Sequence, residues 1–216
     1  MTATAIVNSL AVLLILTSLL VVESRRLKVS AYFYSLQSLV LISIFLSLAV
    51  INEAEQLYLW SITSLITKVF LVPFILLRAV KATGIVEEEP PLVGTTWSVI
   101  LAALMVGLAF ILVQPFHMLA VLDYKTALAV SLAHFLLGLH CMITRINALK
   151  QLLGFCLMEN GSHLTLAIMA YNVPELAEIG ILTDAVFAVL IMSLIAVKLY
   201  KAFGTMDASQ LKMLKG

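Results

Sequence analysis

Lys68, Glu159 and Asp184 are charged residues set in long apolar stretches, and His134 and His163 are titratable residues in stretches of the same kind. A charge at the centre of a bilayer costs at least ~2.5–3.5 kcal/mol, so it faces protein or water and takes a partner. Titratable groups gathered at one depth suit proton movement, because a small change of neighbour shifts a proton from one to the next near neutral pH. The plainer use is a buried ion pair that fixes helix packing, and Lys68 has the sign to pair with Glu159 or Asp184. Cys156, Glu159, Asn160 and His163 fall within about 100° of one another at ~3.6 residues per turn, which makes one polar stripe on an otherwise apolar helix.

The elements that carry these residues must cross a membrane. Of 216 residues 62% are hydrophobic and 12% charged, whereas a soluble domain has ~25% charged residues. Seven stretches of 19 to 21 residues, at 4–22, 31–51, 57–77, 96–114, 126–144, 151–171 and 179–197, contain three charged residues in all: Lys68, Glu159 and Asp184. Each is long enough for the ~20 residues that a helix needs to span hydrocarbon. None alternates apolar with polar residues, so helices rather than a barrel satisfy the backbone. Lys68, His134 and Glu159 lie near the centres of spans 3, 5 and 6. Asp184 is sixth in span 7, roughly 6 Å outward of the midplane at ~1.5 Å per residue, and His163 is one turn outward of Glu159. His140, at the inner end of span 5, and His117, in an outer loop, are expected at the interface.

Lys and Arg fix the orientation, since short loops rich in them stay cytoplasmic. With the N-terminus outside, eleven basic residues from Arg25 to Lys215 fall inside and only Lys125 outside. The expectation is an all-α polytopic membrane bundle of seven transmembrane helices, N-terminus outside and C-terminus cytoplasmic. No basic residue precedes span 1 and Arg25 and Arg26 follow it, the arrangement of an uncleaved anchor.

Along the chain, 1–80 holds the first three spans, 81–95 an acidic cytoplasmic loop with Glu87, Glu88 and Glu89, 96–124 the fourth span and an outer loop, 125–203 a second three-helix unit, and 204–216 a cytoplasmic tail. Leu65–Lys68 reads like Ile181–Asp184, and Leu27-Lys28 like Leu149-Lys150, which sets Gln37 opposite Glu159. A duplicated three-helix unit explains this, as does chance similarity among apolar helices. Pro73 denies the Val69 carbonyl its helical partner and is expected to kink span 3 near Lys68. Cys141 and Cys156 have no spacing for a disulfide framework or a zinc site. A net charge of +1 leaves no nucleic-acid footprint. His134 and His163 are of a type that ligates haem, yet histidines repeated along two helices are missing.

The run from Thr144 to Asn160, in which Arg145 and Asn147 precede an apolar stretch with Gly154 and Leu157, resembles the second helix of the K subunit of respiratory complex I. It is equally similar to the C subunit of multisubunit cation/proton antiporters. Phe155–Leu164, Pro174-Glu175-Leu176, Glu178–Ile181 and Thr183-Asp184 resemble the component E family of hydrogenase-4, as do Ile6-Val7-Asn8, Tyr34–Leu41, Ile66–Val69 and Leu214–Gly216. The K subunit carries its key glutamate where Cys156 stands. Glu159 lies one turn away on the same face, so that role transfers by geometry.

This resemblance implies a multi-pass subunit of the bacterial inner membrane in a complex of the formate hydrogenlyase type. Its implied partners are antiporter-like subunits, a subunit like the complex I H subunit, iron–sulphur subunits and the large and small hydrogenase subunits. No cofactor is expected in this chain; the nickel-iron centre and iron–sulphur clusters belong to those partners. The chain is then non-catalytic, linking antiporter-like subunits and supplying Lys68, Glu159, His163 and Asp184 to a proton relay, with His134, Asn160 and Cys156 in support. The alternatives are an assembly clamp in the same complex and a free-standing transporter.

Overall fold

The computed structural model describes residues 3–116, 124–170 and 175–207. The helices are α1 (Ala3–Glu23), α2 (Leu27–Ile51), α3 (Glu55–Ser64), a π-helical segment Leu65–Leu71, α4 (Val72–Thr83), α5 (Thr95–Val113), α6 (Lys125–Thr144), α7 (Ala148–Met169) and α8 (Glu175–Phe203). Residues 55–83 form one continuous span, so seven helices among the described residues are long and apolar enough to cross a membrane. Helix α2 starts at Leu27, four residues earlier than the hydropathy pattern predicts, and takes Lys28 into its first turn.

Two apolar clusters flank a polar layer. The first holds Leu14 of α1, Val40 of α2, Trp60 of α3, Val130 of α6 and Leu164 of α7. The second holds Val21, Tyr34, Val72, Cys141 and Leu157 of the same five spans. Between them in sequence, and buried, stand Ser18, Gln37, Lys68, His134 and Asn160. Each of these five spans thus passes from one oily core through a single polar level into the other. That is an economical way to keep polar groups in a membrane protein, because it lets them satisfy one another.

Helices α6 and α7 approach closely enough to need glycine. A Cβ on Gly138 would stand 2.5 Å from the Met158 backbone nitrogen, and one on Gly161 would stand 2.6 Å from that of Phe135. The expected disturbance at Pro73 takes the form of the π-helical segment that precedes it. The Val69 carbonyl, which Pro73 cannot serve, accepts a hydrogen bond from the Ser35 hydroxyl of α2 at 3.3 Å. A π-helical turn of this kind re-aims side chains, and Lys68 is one of them.

The ends of α4 and α8 share one local device. Gly84 and Gly204, each just past a helix end, have φ of 72° and 73°, a conformation that costs glycine nothing. Two residues on, the Val86 carbonyl accepts from Leu27 at the start of α2, and the Met206 carbonyl accepts from Ala148 at the start of α7, both at 3.1 Å.

Arg145 and Lys150, which the sequence reading placed in a loop beyond the hydrocarbon, are both buried. Lys150 is 0% exposed and donates to the Val21 carbonyl, the Ser24 carbonyl and the Ser30 hydroxyl. Arg145 is 1% exposed and lies between Glu23, at 3.0 Å, and Glu88, at 2.9 Å. Asn147 caps α7 by accepting from the backbone of Leu149 and Lys150, and its amide donates to Glu89 at 2.6 Å. His140 is buried at the same end, bonded to Ser98 at 2.9 Å. The acidic loop is thereby clasped across the ends of α1, α6 and α7, whereas its third carboxylate, Glu87, makes an exposed pair with Arg26 of little energetic weight.

Candidate functional site

At the polar level, the π-helical segment turns Lys68 into the bundle, where it is 3% exposed. Its ammonium donates to Glu159 Oε1 at 2.7 Å, Asn160 Oδ1 at 2.5 Å and His163 Nδ1 at 2.5 Å. All three acceptors lie on α7, on the stripe its helical period predicts. Three hydrogens meet three acceptors, and the carboxylate neutralises the charge, which is what a buried ammonium requires. His163 accepts at Nδ1, so in this arrangement its proton is on Nε2. Its Nδ1 is also 3.3 Å from Glu159 Oε1. The amine, the imidazole and the carboxylate are therefore within reach of mutual proton exchange without movement of their backbones.

From Asn160 a second path runs sideways through the bundle. The Asn160 amide donates to Gln37 Oε1 at 2.9 Å. The Gln37 amide nitrogen is 3.1 Å from His134 Nε2, and His134 Nδ1 is 2.6 Å from Ser18 Oγ, which donates to the Leu14 carbonyl at 2.5 Å. With the Ser18 hydrogen on Leu14, His134 must donate through Nδ1 and accept through Nε2. All donors then point one way, from Lys68 through Asn160, Gln37, His134 and Ser18. Two carboxamides stand in this chain, and a carboxamide passes a hydrogen bond on but holds its own protons. The path orients Lys68 and fixes the tautomer of His134; it does not itself conduct.

Cys156 is buried one turn from Asn160 on the same helix. The buried Tyr34 hydroxyl lies nearby, beside Ser38, Asn160 and Cys156. Asp184 lies on α8, and its side chain is outside the described residues, as is His117. The structure thus brings Lys68, Glu159, Asn160 and His163 together and connects His134 to them through Gln37. Sequence reasoning by charge missed Gln37 and Ser18 as members of the layer. The signal available was a lone amide near the middle of span 2, where no surface is at hand to hydrate it.

Residues 126–216 match the family described as NADH-ubiquinone/plastoquinone oxidoreductase chain 4L. The chain is 49% identical over 216 residues to hydrogenase-4 component E of Escherichia coli (strain K12), covering 100% of both chains, and to the same degree to hydrogenase-4 component E of Shigella flexneri. An uncharacterized protein of Mycobacterium tuberculosis is 30% identical over 203 residues, 94% of this chain and 92% of the relative. No solved structure matches the chain.

Proposed function

This chain belongs to the hydrogenase-4 component E family, and we propose that it is a non-catalytic link in the membrane arm of a proton-reducing nickel-iron hydrogenase complex. In this reading it joins antiporter-like subunits to a subunit like the complex I H subunit, and the iron–sulphur and hydrogenase subunits carry all redox groups. The N-terminus is outside and the C-terminus cytoplasmic, which follows from the eleven basic residues against one. The membrane is then the bacterial inner membrane.

Its contribution to ion movement is a mid-membrane proton station made of Lys68, Glu159 and His163, with Asp184 as a further member on α8. One observation carries this reading: the Lys68 ammonium meets a carboxylate and an imidazole at 2.7 and 2.5 Å in the middle of the bundle. Partners of different basicity at one donor let a proton step between them when a neighbouring charge changes. Glu159→Gln in the assembled complex is expected to leave hydrogen evolution measurable and to reduce ion movement in sealed vesicles. Undiminished ion movement in that variant removes Glu159 from the relay.

The amide-filled path from Asn160 to Ser18 supports a second role, assembly. Together with Lys68 it ties spans 1, 2, 3, 5 and 6 at a single level, and a protein built as a clamp needs such a tie. If clamping is the whole function, Glu159→Gln lowers the yield of intact complex instead.

A further inference from the structure

We propose that the groove between α4 and α8 binds one anionic glycerophospholipid, with its phosphate at Arg78. Helices α4 and α8 pack against each other and leave a groove of about 350 Å³ walled by Phe74, Ile75, Leu190, Leu194 and Val197, with Arg78 in its lining. The walls suit an acyl chain. Charge decides the headgroup.

Arg78, Lys81 and Gly84 on α4 recur at the same spacing as Lys198, Lys201 and Gly204 on α8. Both glycines close their helices in the left-handed conformation and both lead into a segment that returns to the start of a neighbouring helix, so the two helices end on the same side of the bundle. Arg78 lines the groove, and four cations lie at this end of the two helices, Arg78 and Lys198 about 9 Å and Lys81 and Lys201 about 4.5 Å before their closing glycines at ~1.5 Å per residue. All four are exposed. The buried cations are each satisfied within the bundle: Lys68 has Glu159, Arg145 has Glu23 and Glu88, and Lys150 has the Val21 and Ser24 carbonyls and the Ser30 hydroxyl. Among the described residues no carboxylate forms an ion pair with Arg78, Lys81, Lys198 or Lys201.

A cationic rim over an apolar slot between two membrane helices is complementary to a lipid whose headgroup carries a phosphodiester and no compensating amine. A guanidinium is suited to the phosphate because it presents paired N–H donors, and the lysines add charge at the same level. Phosphatidylcholine offers the same chains but brings its own cation into the rim, so the site discriminates by headgroup.

The test is native mass spectrometry of the full chain released from vesicles containing equal phosphatidylglycerol and phosphatidylcholine. The native protein is expected to retain one phosphatidylglycerol. Arg78→Gln/Lys198→Gln is expected to lose roughly tenfold or more of that retention, since each basic residue near an anionic surface contributes about 1 kcal/mol. Ala82→Trp fills the groove while keeping every charge, and is expected to lose the lipid too. Thermal stabilisation by phosphatidylglycerol but not by inorganic phosphate separates a lipid from a free anion. Equal retention of both lipids, retention by both variants, stabilisation by phosphate alone, or crosslinking of a partner helix through Ala82→Cys in the complex would each overturn the proposal.

Discussion

The ammonium of Lys68 lies 2.5 Å from Nδ1 of His163, although 95 residues separate them in the chain. The contact assigns the proton of that imidazole to Nε2 and leaves Glu159, on the same turn of α7, as the only anion touching the pair among the described residues.

That assignment is measurable by 15N NMR of histidine-labelled protein. His163 is expected to show an unprotonated Nδ1 and a protonated Nε2. In Lys68→Leu the donor is gone and Glu159 Oε1, 3.3 Å from Nδ1, becomes the partner for a proton there, so the tautomer is expected to invert. Identical ring shifts in the two proteins would contradict the hydrogen-bond scheme.

Removing one member of the buried pair is expected to be worse than removing both. Lys68→Met leaves Glu159 an uncompensated anion, and changes of this type cost about 3–5 kcal/mol, whereas replacing both partners by apolar residues is often near neutral. The double variant Lys68→Met/Glu159→Met should therefore unfold in detergent at a higher temperature than the single one. If the double variant is the less stable, the pair contributes more than it costs to desolvate.

Much of this layout is legible in sequence and the remainder is not, for definite reasons. Hydrocarbon demands long uncharged stretches, so the spans and the exceptional Lys68 and Glu159 stand out. The helical period alone puts Glu159, Asn160 and His163 on one stripe. Gln37 and Ser18 carry no charge, and nothing in the period of α1 or α2 shows that they face His134. At the π-helical turn that carries Lys68, the Val69 carbonyl finds its donor in Ser35 of another helix, a partner that the local sequence does not show. Arg145 and Lys150 count as loop charges when only position along the chain is considered. Their burial comes from Glu23, Glu88 and backbone carbonyls that folding brings to them from distant parts of the sequence.

The contact between α6 and α7 predicts a contrast among glycines. A Cβ at Gly154 would meet the Gly138 carbonyl oxygen at 2.9 Å, while one at Gly107 would meet nothing within 4 Å. Gly154→Ala should destabilise the protein by about 1–3 kcal/mol through forced separation of backbones, and Gly107→Ala should cost nothing or stabilise slightly. Thermal unfolding of the two variants side by side checks this. Equal effects would mean that the helices slide apart freely.

Glu88, in the loop after α4, supplies a pH dependence with a definite sign. Burial raises its carboxyl above the ordinary 4.5, against the opposing pull of Lys150, Arg145 and Arg25. The folded protein then holds this proton more tightly than the unfolded chain does. Stability from this group is fully present below 4.5 and is lost as pH rises through the folded value. Glu88→Gln cannot lose that proton. Arg145 keeps Glu23 in the variant, and the neighbouring side chains are the same in both proteins, so their effects cancel to first order in the comparison. The melting temperature of Glu88→Gln minus that of the native protein is expected to increase from about pH 4.5 to 7, whatever its starting sign. A difference that falls with pH would mean that Arg145 holds Glu88 ionised strongly enough to outweigh burial.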